Sequence, residues 1–197
     1  MKYRIIIFVA FCTALLIAGC GNKEPVAPES IELAVNEQDA FLAKKHHCKK
    51  IPWQGVETSC ESIPGEEWYE GSVMHRVGWK SIDILESDNP LINGVNTVTY
   101  SIELDLATGE GRMYDIQWSV KPYAYKGTWE GTSTGTFTNY LVSWEGEGFG
   151  TGKLKGMSVT VKGIQRSEVQ NPPCGTAINQ YDDSGYIFMK KKKRKRH

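Results

Sequence analysis

The sequence predicts an all-β protein, a small antiparallel barrel of about eight strands with a short N-terminal helix or tether. Three observations support this fold class. Short segments alternate apolar and polar residues, glycines separate these segments at regular intervals, and only residues 37–45 have a helical pattern. Many short strands with glycine punctuation favour an antiparallel barrel or sandwich over an α/β fold.

The clearest strand covers residues 98–106, where apolar and polar residues alternate for nine positions. A glycine-containing turn follows at 107–111, and the alternation resumes over 114–120, so these segments predict a β-hairpin. Further strands are predicted at 125–130, 135–140, 141–145, 152–157, 158–164 and 185–189. We expect the barrel to cover 67–189, after a disulfide-containing segment at 40–66.

A short internal repeat supports a barrel of successive strands. Thr128-Trp129-Glu130-Gly131 recurs as Ser143-Trp144-Glu145-Gly146, and each copy runs into glycine-rich sequence. Residues 148–156, Gly-Phe-Gly-Thr-Gly-Lys-Leu-Lys-Gly, resemble the late strands of allene oxide cyclase-like barrels, a family that includes bacterial proteins of unknown function. The resemblance covers residues 68–164 and implies a calycin-like barrel. No active-site motif of that family matches this chain.

The N-terminus has the pattern of an export signal. Residues 1–4 are basic and polar, and 5–17 form an apolar run that is shorter than the about 20 residues of a membrane helix. Leu16-Ile17-Ala18-Gly19-Cys20 resembles the bacterial lipobox, which implies that residues 1–19 are removed and that Cys20 is acylated. An ordinary secretory signal, or a membrane helix that ends in cysteine, is the less favoured interpretation.

The lipobox resemblance also implies a location in the cell envelope. Several acyl chains such as palmitate on Cys20 would give stable membrane attachment. Gly21, which is not Asp, resembles the pattern that is released to the outer membrane, with inner-membrane retention as the alternative. Residues 20–39 carry prolines and charges without aromatic residues, which is typical of a solvated tether on the periplasmic side.

The formal net charge is zero, but it is unevenly distributed along the chain. Residues 190–196 are seven consecutive lysines and arginines, and the exported part without them is acidic. The tail, 190–197, is interpreted first as a solvated end without a specific partner. The functional alternative is attraction to an anionic lipid surface. Export argues against a nucleic-acid partner.

Cysteine usage is compatible with an oxidising compartment. Cys48, Cys60 and Cys174 remain after loss of the leader and acylation, so they cannot all pair with one another. A Cys48–Cys60 bridge around a short loop is the preferred pairing, and Cys60–Cys174 is the alternative. Residues 46–48 with Cys60 lack the paired spacings of structural zinc modules, so no metal site is predicted.

Several motifs resemble catalytic sites without the context that those sites need. Residues 131–135 match Gly-x-Ser-x-Gly, but a strand follows instead of a helix, and His197 is the only later histidine. Glu130 and Glu145 are expected to face water if the tryptophans beside them face inward. His75 is interpreted as a structural histidine in a strand. The glycine run at 146–152 lacks phosphate-loop spacing, so no cofactor is predicted.

Aromatic residues on the alternating positions are the remaining candidates for a site. They predict either a filled core, which is favoured, or a pocket for one small ligand. The candidate pocket residues are Tyr100, Tyr114, Trp118, Trp129 and Trp144.

Three functions stay open at this stage. The leading hypothesis is a non-enzymatic envelope lipoprotein whose barrel binds a small apolar ligand or a protein partner. The second is a cyclase- or isomerase-type enzyme, which buried titratable groups inside the barrel would support. The third is a purely structural or interaction protein with a filled core.

Overall fold

The computed structural model describes residues 48–190, which form nine strands and one 3-10 helix, Gly152–Leu154. The strands are β1 (Cys48–Ile63), β2 (Glu66–Glu70), β3 (Val73–Ser87), β4 (Gly94–Asp105), β5 (Gly111–Pro122), β6 (Trp129–Thr138), β7 (Leu141–Gly150), β8 (Met157–Gln165) and β9 (Asn179–Lys190). In this part of the chain, no helix is both long and apolar enough to span a bilayer.

Eight of these strands close an antiparallel barrel. Strands β3 to β9 pair in sequence order, and β1 pairs with both β9 and β3, which joins the two ends of the sheet. Strand β2 pairs with β3 and extends the sheet outside the ring. The predicted all-β barrel of about eight strands is therefore confirmed, whereas the helix expected at 37–45 lies outside the described residues.

Three local expectations differ from the structure. The strand expected at 125–130 begins only at Trp129, because residues 123–128 form a loop. Residues 152–157 were expected to form a strand, but they hold the 3-10 helix and a turn, because Gly152 and Gly156 adopt positive φ angles that interrupt an extended chain. The barrel also begins at Cys48 and not at residue 67, since the whole of β1 pairs into the sheet.

The barrel has two ends that differ in what they carry. The terminal end holds the first residue of β1, the last residue of β9, and the loops at 88–93, 123–128 and 151–156. The disulfide end holds the remaining loops, of which 166–178 is the longest, together with β2.

The terminal end is closed by apolar side chains. Ile92 and Leu154, which come from two of its loops, are fully buried, as is Trp129. The Trp129 indole Nε1 donates a hydrogen bond to the Leu91 carbonyl oxygen over 2.7 Å, which ties the loop at 88–93 to β6. Apolar burial of this kind is the main stabilising contribution to a small barrel.

Candidate functional site

A cavity of about 60 Å³ lies inside the barrel, toward the disulfide end. Ile178, which lines the cavity, is 49% exposed, so the cavity reaches solvent beside the loop at 166–178. Its wall combines polar and aromatic side chains: Glu57, Ser59, Ser81, Asp83, Asn96, Tyr100, Trp118, Trp144 and Tyr181. No basic side chain of residues 48–189 lines it.

Three buried carboxyl groups come from adjacent strands. Two of them, Glu57 and Asp83, line the cavity, and Asp183 lies beside Glu57 without lining it. Glu57 of β1, Asp83 of β3 and Asp183 of β9 are each no more than 3% exposed. Strand β1 pairs with both neighbours, with Ser59 opposite Asp83 and Gly55 opposite Asp183, so the three side chains converge inside the barrel. We call these three residues the carboxyl cluster.

The carboxyl cluster is only partly hydrogen-bonded. Asn96 Nδ2 donates to Glu57 Oε1 over 2.8 Å, and the hydroxyls of Ser59 and Ser81 donate to the two oxygens of Asp83 over 2.7 and 3.0 Å. The carbonyl oxygen of Asn96 and both carboxyl oxygens of Asp183 are buried without such a partner. Buried polar atoms without partners cost stability, and the neighbouring Glu57 can satisfy Asp183 only when Glu57 is protonated.

Burial sets the protonation of the carboxyl cluster. Desolvation, and secondarily the charge of Asp183, raises the pKa of Glu57 well above its usual range. Desolvation followed by the charge of Glu57 does the same to the pKa of Asp83. Desolvation is also the main cause that raises the pKa of Asp183 to about 7. The cluster therefore retains protons at neutral pH, and a protonated Glu57 can donate to Asp183.

Glycines make room for the aromatic wall. A side chain at Gly131 or Gly148, which are opposite one another in β6 and β7, would overlap the ring of Trp118. A side chain at Gly163 would overlap both the Trp144 indole and a carboxyl oxygen of Asp183. These glycines therefore let large rings and an acid pack inside a narrow barrel.

The structure brings together three of the five predicted pocket residues, Tyr100, Trp118 and Trp144. Trp129 lies instead in the apolar core at the terminal end. Tyr114 is turned away from the cavity, because the pairing of β5 shifts between Met113 and Ile116 and Asp115 there has a φ of 51°. The guanidinium carbon of Arg112 lies 5.1 Å from the centre of the Tyr114 ring.

The disulfide preferred from the sequence, Cys48–Cys60, was wrong. Cys60 is bonded to Cys174, the alternative pairing, and this bond ties β1 to the loop at 166–178. Cys48 and Cys60 lie at opposite ends of the extended strand β1, in which a rise of about 3.3 Å per residue places them about 40 Å apart. The expected loop between them, with Pro52 and Gly55, is strand.

The other sequence candidates are placed away from the cavity. Ser133 of the Gly-x-Ser-x-Gly match lies within β6, and its hydroxyl accepts a 2.9 Å hydrogen bond from Trp118 Nε1. Glu130 and Glu145 are exposed, as expected. His75 stacks on Trp68, with ring centres 5.0 Å apart. Within residues 48–190, no group of three or more histidines, cysteines or acids has an arrangement that could hold a metal ion.

The carboxyl cluster was missed from the sequence. Glu57 fell in the supposed disulfide loop, and Asp183 preceded the strand that was expected to begin at Gly185. Asp83 stands between Ile82 and Ile84, so alternation alone places the two isoleucines on the inner face and Asp83 on the outer face. The sequence signal that could have placed Asp83 inside the barrel is Leu85, a large apolar residue that shares the face of Asp83 and is buried.

Comparisons of the chain with family models, curated proteins and solved structures found no match. The resemblance to allene oxide cyclase-like barrels and to lipoproteins stays a prediction. Function is therefore inferred from the geometry and chemistry of the cavity.

Proposed function

We propose that this chain is an exported lipoprotein, acylated at Cys20, whose barrel binds a small ligand that carries a protonated amine. The apolar leader and its lipobox-like ending support the anchor, and Gly21 supports sorting to the outer membrane. The mixed wall of the cavity supports the ligand class.

One observation carries the ligand class: two buried carboxyl groups, Glu57 and Asp83, line a cavity that no basic residue of the described chain lines, and Asp183 is buried beside Glu57. Apolar residues at these positions would fill a core at lower cost, because buried acids lose their hydration. A cation among the carboxyls stabilises their ionised form by Coulomb attraction, so binding offsets part of the cost of burial.

The aromatic wall favours the same class of ligand. The faces of tryptophan and tyrosine rings attract cations, and their carbon surface suits a short apolar body. The volume of about 60 Å³ accommodates about four or five groups the size of water. A short aliphatic amine therefore fits better than the purely apolar ligand considered from the sequence, and propylammonium is a suitable probe.

Calorimetric titration of the mature chain, made without acylation by Cys20→Ser, tests this proposal. We expect propylammonium to bind, and propanol, which has the same shape without the charge, to bind at least tenfold more weakly. Asp83→Asn, in the cavity wall, should weaken amine binding similarly. Glu147→Gln, at an exposed acid of β7, should leave amine binding unchanged. Equal binding of amine and alcohol, or no binding of either, would contradict the ligand class.

Proton release gives a second readout. Because the pKa of Asp183 is raised to about 7, a cation that binds beside it should expel a proton near neutral pH. The measured heat should therefore depend on the ionisation enthalpy of the buffer. Amine binding with no proton release would place the amine away from the carboxyl cluster.

A proton-transfer enzyme of the cyclase or isomerase type is the second candidate. The observation that favours it is the same set of raised pKa values, since a carboxyl that titrates near neutral pH can act as a general acid or base. Turnover of an unsaturated or carbonyl substrate that is lost in Asp183→Asn and kept in Glu147→Gln would favour this candidate over simple binding.

Mass spectrometry of the chain from bacterial membranes tests the anchor separately. We expect the mature chain to begin at Cys20 and to carry the added mass of acyl groups. Cys20→Ser should abolish the added mass. An unmodified N-terminus would reject the lipoprotein proposal without affecting the proposal for the cavity.

A further inference from the structure

The lysines of the barrel are concentrated at one end. Residues 48–189 contain eight lysines, of which only Lys80 and Lys162 lie away from the terminal end. The six exposed lysines of the terminal end are Lys49, Lys50, Lys121, Lys126, Lys153 and Lys155. The acids in the same loops and the adjoining strand ends are Glu86, Asp88 and Glu130, so this end carries net positive charge.

Exposed aromatic residues stand among these lysines. Tyr123 and Tyr125, in the loop at 123–128, are 64% and 40% exposed. Tyrosine suits the boundary between lipid headgroups and acyl chains, because its ring is apolar and its hydroxyl is polar. Lysines beside exposed tyrosines are the chemistry expected of a surface that lies on an anionic bilayer.

The chain enters and leaves the barrel at this same end. Cys48 is opposite Lys190 where β1 pairs with β9, so the tether side and the basic run at 190–196 join the barrel side by side. Any attachment through either segment therefore brings the terminal end toward the membrane.

The disulfide end has the opposite charge. Its exposed acids outnumber its arginines, Arg76, Arg112 and Arg166. These acids are Glu61, Glu66, Glu67, Glu70, Glu110 and Glu168. An anionic surface attracts one end and repels the other, so charge alone favours a single orientation.

We infer that the terminal end of the barrel is a docking surface for an anionic bilayer, which holds the cavity mouth away from the membrane. The inference rests on the proposed envelope location and not on the cavity ligand. Because the lysines act without an acyl group, the test uses a chain that lacks one, so failure here is distinguishable from failure of the anchor.

Vesicle binding by the mature Cys20→Ser chain, ended at Lys190 to remove most of the tail, tests the surface. We expect it to bind vesicles of phosphatidylcholine with phosphatidylglycerol and not phosphatidylcholine alone. Lys153→Gln with Lys155→Gln should weaken binding about 25-fold, since each lysine near such a surface contributes about fivefold. The matched pair Lys80→Gln with Lys162→Gln should change it less than about threefold.

The orientation is tested by tryptophan substitutions at exposed tyrosines of the two ends. Lipids with brominated acyl chains should quench a tryptophan at Tyr123→Trp and leave one at Tyr69→Trp unquenched, after subtraction of the parent signal. Equal loss in both lysine pairs, equal quenching at both sites, or tighter binding to duplex DNA than to the anionic vesicles would overturn the inference.

Discussion

The two ends of the barrel differ in how they are closed. Ile92 and Leu154 close the terminal end with buried apolar side chains. The disulfide end keeps a polar cavity under a long loop that the Cys60–Cys174 bond holds to β1. The difference shows that one end of a small barrel can supply packing stability while the other retains buried polar groups around a cavity.

Removing the disulfide should give the largest effect and should act on the disulfide end. Cys60→Ser with Cys174→Ser opens a loop with a sequence separation of 114 residues, which by chain entropy costs about 4 to 5 kcal/mol. Chemical denaturation measures the loss.

Hydrogen exchange measures the loss of protection at individual amides. Because the bond acts by constraining the unfolded chain, amides of β5 and β6 that exchange by global unfolding should lose protection by the same free energy. Amides at 166–178 should exchange faster still, because the released loop also opens locally. If the protection of this loop is the same with and without the bond, the bond does not hold the disulfide end closed.

The carboxyl cluster should make stability depend on pH. An acid whose folded pKa is raised stabilises the fold most below its unfolded pKa, and this contribution is lost as pH rises through the folded value. For Asp183, with a folded pKa of about 7, stability should fall by about 4 kcal/mol between about pH 4 and pH 8.

Asp183→Asn should remove much of this fall, because the amide does not ionise. Glu147→Gln, on the exposed face of β7, should retain it. Denaturation midpoints across the pH range provide the measurement. A wild-type barrel that is as stable at pH 8 as at pH 5 would show that Asp183 is hydrated.

Truncation of an apolar side chain that closes the terminal end should lower the free energy of unfolding. Leu154→Ala removes a fully buried side chain and should cost about 3 kcal/mol. Ile178→Ala, at the exposed cavity mouth, should change the free energy of unfolding by less than about 0.5 kcal/mol. Equal losses for the two variants would mean that the cavity mouth is packed shut in solution.

Trp118 joins the two ends, since it packs in the apolar core and also lines the cavity. Ser133→Ala leaves its buried Nε1 without the hydroxyl acceptor and should cost about 1 to 2 kcal/mol. Thr132→Ala, on the exposed face of β6, is the control. A hydrolytic activity that disappears in Ser133→Ala without any loss of stability would instead restore the nucleophile interpretation.

The sequence predicted the barrel because alternation in β4 and β5 reports a wet and a dry face directly. It placed Tyr114 incorrectly because of a bulge in β5. The extra residue of a bulge reverses which face of the sheet the preceding side chains point to, and the alternation of apolar and polar residues does not reveal the extra residue. The carboxyl cluster escaped because its members are far apart in sequence and meet only when β1 closes the ring between β9 and β3.

The glycines in and after the repeated Trp-Glu-Gly motif permit close approach of neighbouring groups. Gly131 and Gly148 accommodate Trp118, which the repeated Trp-Glu-Gly motif alone could not specify. Neither the volume of the cavity nor the partner of Cys60 follows from periodicity, because both depend on how the strands tilt and close.

Carbon-13 NMR titration of the side-chain carboxyls most directly tests the central claim that the carboxyl cluster is a cation site. For wild type without ligand, we predict a buried carboxyl that titrates near pH 7, where Asp183 is expected. Saturating propylammonium should lower that midpoint by at least one pH unit, which corresponds to about 1.4 kcal/mol. If every carboxyl titrates in its usual range, or if propylammonium leaves the midpoint unchanged, the carboxyl cluster does not bind cations.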